Sequence, residues 1–259
     1  MPTLMAFQTF GTLPSSQLAP VNRIAPILVF ICLICIGTAT SQNKMAPSNR
    51  LTISRIADDF AIDRLDDPAW EGTSQVLVSK YWSGKAATKG REFSAKLLWS
   101  DTALYVRFEA SQSEPLVVNE NPDTSQKTVG LWDRDVCEIF IAPNTSQRKK
   151  YFEFEIAPTG EWIDLAIDAT SQKRKADLDY KSGMTSAAKM EKDKVVMAIK
   201  IPWKAFGVAR PKIGDVWLGN LFRCVGKGKT RGYLAWQPTK TAKPNFHVPE
   251  KFGEFEFVK

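Results

Sequence analysis

Histidine is nearly missing from this chain of 259 residues, with His247 the single example, and cysteine occurs four times. No Ser-His-Asp arrangement and no Gly-rich phosphate loop accompanies that one imidazole, so neither triad-type acyl transfer nor nucleotide handling is indicated. No internal repeat is found, and no long segment keeps the 3.6-residue apolar period of a helix. The first 23 residues hold no acid and a single base, Arg23. The apolar run that follows, residues 24–37, extends for roughly 14 residues, short of the ~20 that span a bilayer. It ends in Gly37-Thr38-Ala39, a small-x-small cleavage pattern. Residues 1–39 therefore read as a signal peptide with a long n-region, an uncleaved anchor being the rival, and the product as exported to the periplasm or the exterior. Cys32 and Cys35 fall inside that leader and carry no metal or redox meaning. Cys137 and Cys224 remain, and an oxidising compartment allows either a disulfide or two buried thiols.

What is present is apolar and aromatic: 44% hydrophobic residues and eight tryptophans, enough for a sizeable core. The net charge of +7 sits in short clusters such as Arg148-Lys149-Lys150 and Lys173-Arg174-Lys175. Such clusters usually lie on solvated loops, and the leader argues against a nucleic-acid partner. Residues 40–50 are polar and breaker-rich, a linker, and the domain proper is expected over residues 51–259. Within it, short segments alternate with period two between turns: residues 92–98, 103–110, 136–141, 151–156, 162–167, 194–201, 216–225, 233–236 and 254–257. Many short strands without a long helix predict an all-β fold, an antiparallel β-sandwich.

The most informative stretch is residues 131–141, Leu-Trp-Asp-Arg-Asp-Val-Cys-Glu-Ile-Phe-Ile. Side chains two apart share a strand face, so Cys137, Ile139 and Ile141 point one way and Val136, Glu138 and Phe140 the other. Glu138 is then a carboxylate between apolar neighbours, costly unless something partners it. Trp132 stands six residues upstream in a charged loop. An aromatic face and a carboxylate together suit a pyranose, whose apolar face stacks while its hydroxyls hydrogen-bond to charge. The bland alternative makes Trp132 a core cap and pairs Glu138 with a structural arginine.

These residues also carry a resemblance. Asp63-Arg64-Leu65-Asp66-Asp67-Pro68-Ala69-Trp70, Trp132-Asp133-Arg134-Asp135-Val136-Cys137-Glu138, Tyr151-Phe152-Glu153-Phe154, Gly219-Asn220-Leu221-Phe222-Arg223 and His247-Val248-Pro249-Glu250-Lys251-Phe252-Gly253 recur in an order that resembles the family 9 carbohydrate-binding modules and their stand-alone family 9-like relatives. The resemblance spans essentially the whole mature chain. It implies a sandwich related to the DOMON-like folds, with jelly-roll or immunoglobulin-like packing. It also implies a non-catalytic sugar-binding role, accessory to polysaccharide breakdown, in which two tryptophans clamp a terminal glucose- or xylose-type residue. By that resemblance Trp132 and Trp236 are the clamp, Glu138 and Arg223 its charged partners, and Glu153 and Asp164 weaker polar positions. Cys137 departs from the pattern, in which a polar residue would help a sugar site.

Two other functions fit parts of the sequence. An O-glycosyl hydrolase needs paired carboxylates, and Glu138 with Glu153 on adjacent strands could supply them. A DOMON-like haem carrier would draw on His247 with Met184, Met190 or Met197. No cofactor is expected; a structural Ca²⁺ among the acids of residues 58–67 is the one ion the composition suggests.

Overall fold

The computed structural model describes residues 49–259, so the signal-peptide reading and most of the linker lie outside the described residues. Thirteen strands form the described part, joined by turns and short 3₁₀ segments. Among the described residues no helix is long and apolar enough to cross a membrane.

The alternating segments form strands as expected. β1 (Arg50–Arg55), β2 (Gln75–Val78), β3 (Phe93–Trp99), β4 (Ala103–Ser111), β5 (Val136–Ala142), β6 (Lys150–Ile156) and β7 (Trp162–Asp168) come first. β8 (Lys175–Asp177), β9 (Thr185–Met190), β10 (Lys194–Pro202), β11 (Val216–Val225), β12 (Gly232–Ala235) and β13 (Gly253–Phe257) follow. Their order is β8-β7-β6-β5-β11-β13-β1-β3-β4-β10-β9, with β12 added to β11 and β2 to β3. β1 is the link: Leu51 pairs with Phe255 of β13, and Ser54 pairs with Leu98 of β3.

Both of those pairings are parallel, which corrects the antiparallel expectation: the sheet is mixed. Period-two alternation fixes which residues share a face but carries no strand direction. The long excursion from residue 56 to residue 92 supplies the crossover that a parallel neighbour requires.

The sheet curls so that its two halves enclose one core. Ile139, Ile141 and Phe154 from one half pack with Val106, Met197 and Ile199 from the other. Trp203, Phe206 and Trp217 close one end, with Phe206 and Trp217 rings 5.0 Å apart. Gly219 of β11 is required there: a Cβ would fall 2.2 Å from the Phe255 ring and 2.4 Å from the Phe140 carbonyl oxygen.

The outer face of β5, β6, β7 and β11 is not a solvated face. Phe140, Tyr151, Ile163, Leu165 and Phe222 form a second buried cluster on it. The segment between β12 and β13 covers part of that cluster, Phe246 stacking on Phe222 at 4.1 Å and Phe252 meeting Tyr151 edge-on at 5.3 Å.

Candidate functional site

The covering segment leaves a gap over the carboxylates of β5 and β6. The result is a cavity of about 360 Å³ whose lining includes Trp132, Glu138, Glu153, Tyr233, Phe246 and His247. Asp133, Arg174 and Asn245 add polar groups to it.

The loop that presents Trp132 is fastened from several sides. Gly130 takes a left-handed conformation at φ 82°, opening a 3₁₀ turn over Leu131–Asp133. Leu131 is fully buried, and the Asp135 carboxylate accepts from the backbone N–H groups of Val117 at 3.2 Å and Gly226 at 2.8 Å. Arg231 donates to the carbonyl oxygens of Trp132 at 2.6 Å and Arg134 at 2.8 Å. With the backbone held this way, Trp132 keeps 39% of its surface open. It is a presented ring and not a core cap.

Strand register sets the floor. Glu138 faces Glu155 directly across β5 and β6, and Glu153 lies two residues along on the same face. All three are buried, and one carboxylate oxygen from each lies within 4.8 Å of the others. No lysine or arginine among the described residues forms an ion pair with any of them; Glu138 Oε1 meets only the Cys224 thiol, at 3.4 Å. Burial, and then repulsion from Glu153, pushes the Glu138 carboxyl up to about 8. Burial likewise raises Glu153 to about 7, and Glu155 well above the carboxylate range. The floor thus holds protons near neutral pH and offers both O–H donors and acceptor oxygens.

His247 adds to the same cavity. Its Nδ1 lies 2.9 Å from the Tyr151 hydroxyl and 3.9 Å from Glu153 Oε2. Burial, reinforced by nearby Arg174, lowers its pKa to about 3, so the imidazole is neutral and does not form an ion pair with Glu153. Tyr233 faces Cys224 across β11 and β12, and its ring is held by Trp82 edge-on at 6.1 Å. Sequence reasoning missed Tyr233 and Phe246 as cavity residues and named His247 only as a candidate haem ligand. Tyr233 carried no usable signal, because only the strand register places it opposite Cys224.

Of the six residues expected at the site, the structure brings Trp132, Glu138 and Glu153 together and places the other three elsewhere. Arg223 pairs with Cys137 across β11 and β5, which puts it on the inner face. Its guanidinium donates to the carbonyl oxygens of Arg91 at 2.8 Å and Ser111 at 2.7 Å, and to Gln112 Oε1 at 2.6 Å. Trp236 is likewise an inner residue, stacked on Phe255 at 5.6 Å and 7°. Asp164 pairs with Phe154 and so faces away from Glu153; it binds Lys127 at 2.5 Å and accepts from the Ser182 N–H at 2.6 Å. None of these three lines the cavity.

The remaining expectations resolve by position. Cys137 and Cys224 are free buried thiols on opposite faces of the sheet, which rules out a bond between them. Met184 and Met197 lie in the inner core and Met190 is exposed, so none shares the cavity of His247. Among the acids of residues 58–67, Asp67 pairs with Arg64 at 2.8 Å, Asp66 with Arg107 at 3.5 Å, and Asp59 accepts from the Tyr105 hydroxyl at 2.9 Å.

Comparison with solved structures agrees on the architecture. A protein of Bacteroides uniformis ATCC 8492, solved as a candidate carbohydrate-binding protein, superposes with TM-score 0.64 at 16% identity, covering 80% of this chain and 98% of that one. A family 9 carbohydrate-binding module of Caldicellulosiruptor kristjanssonii in complex with cellotriose gives 0.56 at 17%, over 81% and 93%. A structure of such a module from the same organism with glucose gives 0.56 at 16%, over 80% and 95%. No curated protein matches the chain. The model of the carbohydrate family 9 binding domain-like family matches residues 62–259. The chain therefore belongs to the carbohydrate family 9 binding domain-like family, whose domains bind without catalysing.

Proposed function

We propose that the mature chain is an exported, non-catalytic module that recognises the end of a glucose- or xylose-type saccharide and works beside enzymes of polysaccharide breakdown. One observation carries this reading: a single cavity joins the open ring of Trp132 to the buried carboxyls of Glu138 and Glu153. Its volume of about 360 Å³ suits a ligand of one or two sugar rings. Trp132 and Tyr233 supply aromatic faces for the apolar side of a pyranose. The carboxyls, Asn245 and Arg174 supply donors and acceptors for its hydroxyls. Family membership and the sugars named with the Caldicellulosiruptor structures support the ligand class. The apolar leader over residues 24–37 supports export.

Isothermal calorimetry with glucose, xylose, cellobiose and xylobiose tests the binding. One site per chain for at least one of these sugars is expected. Absence of heat with all four, together with a blank glycan array, overturns the proposal. N-terminal sequencing of the exported form, expected to begin close to Thr40, tests the leader.

A further inference from the structure

Burying three carboxylates side by side is unfavourable unless something offsets it, and directly opposed like charges destabilise a sheet. Glu138 and Glu155 are such an opposed pair, with Glu153 beside them. Glu155 is the telling member. It is fully buried, no group outside the three carboxyls hydrogen-bonds to either of its oxygens, and one is aimed into the space shared with the other two. Oε2 of Glu153 likewise takes no hydrogen bond from outside the three. Glu138 and Glu153 both reach the cavity, so an ion entering it would meet their oxygens first and those of Glu155 behind them.

We propose that Glu138, Glu153 and Glu155 bind one hard divalent cation at the floor of the cavity. All three donors are carboxylate oxygens, the set that Ca²⁺, Mn²⁺ and Mg²⁺ prefer. Oxygens within 4.8 Å of one another can converge on a centre about 2.1–2.6 Å from each. The ion's remaining positions face the cavity and would be filled by water or by hydroxyl groups of a ligand. A carboxyl must give up any proton it holds to ligate the cation, so affinity rises with pH.

The test is calorimetry and thermal melting of the chelator-treated full-length protein with Ca²⁺, Mn²⁺ and Mg²⁺ alone, at pH 6 and pH 7.5. We expect one ion per chain for at least one of these metals, tighter at pH 7.5. We also expect a melting temperature raised by about 5–10 °C at a hundredfold excess over Kd. Glu155→Gln should lose that binding at least tenfold, yet melt no lower than the native protein when both are chelated, since burial already holds the Glu155 carboxyl protonated and the amide replaces it with an uncharged group of the same size. If Glu155→Gln fails to fold, Glu153→Gln takes its place in the same comparison. No shift with any of the three metals at millimolar concentration overturns the site, as does an equal shift in native protein and variant. Zn²⁺ is titrated beside them, and binding confined to Zn²⁺ overturns the oxygen-ligand assignment. The metal is titrated without sugar, so loss of either proposal leaves the other standing.

Discussion

Replacing Trp132 by alanine removes the ring from the cavity wall while leaving its loop fastened through backbone atoms. A tryptophan side chain offers about 150–250 Å² of surface, and the 39% that Trp132 leaves open amounts to roughly 60–100 Å² available to a ligand. At about 25 cal/mol per Å² that contact contributes roughly 1.5–2.5 kcal/mol. Affinity for the best sugar should then fall about 10- to 60-fold, at tenfold per 1.4 kcal/mol. Stability should change little, by about 1 kcal/mol or less, because the anchoring groups are Leu131, Asp135 and the Trp132 carbonyl and not the ring. Calorimetry and a thermal melt on the same preparation give both numbers. Unchanged affinity with a loss of several kcal/mol in stability would show that Trp132 is a packing residue and refute the reasoning.

Arg223→Ala should do the opposite. Stability should fall by about 3 kcal/mol or more, because buried carbonyl acceptors lose a charged donor, while sugar affinity in the folded fraction holds; denaturant titration and calorimetry check this. Gly219→Ala should cost about 3 kcal/mol or more through its clash with Phe255 and the Phe140 carbonyl, read from the urea midpoint. In chelator, stability should fall as pH rises from about 5 to about 8. The Glu138 carboxyl titrates near 8 when folded against 4.5 when free, so the folded state holds the extra protons in that window, and its advantage is lost as pH passes the folded value. Thermal melts across that range check the slope, which Glu155→Gln should flatten.

Most of the fold was legible because alternation with period two survives in nearly every strand. The faces of β5 were readable from residues 136–141 alone, and so was the awkwardness of Glu138. Register was not readable. Arg223 lies in a strand that could be seen and Trp236 directly after one, but only the pairing of Arg223 with Cys137 shows that Arg223 sits on the inner face. Asp164 was lost the same way, by its pairing with Phe154. The outer face of β6 alternates like a solvated strand, with Glu153 and Glu155 reading as surface charge. The face they lie on is covered by the segment carrying Phe246 and His247, almost a hundred residues further on. A local pattern cannot show which distant loop covers it, and the candidate site lies at such a covered place.

The most direct test of the central claim is an NMR titration of the ¹⁵N-labelled mature protein with glucose and cellobiose. The expected result is saturable shift changes concentrated at the Trp132 indole and the backbone around Tyr233, Asn245 and His247. Shifts confined to other surfaces, or none at millimolar sugar, would contradict it.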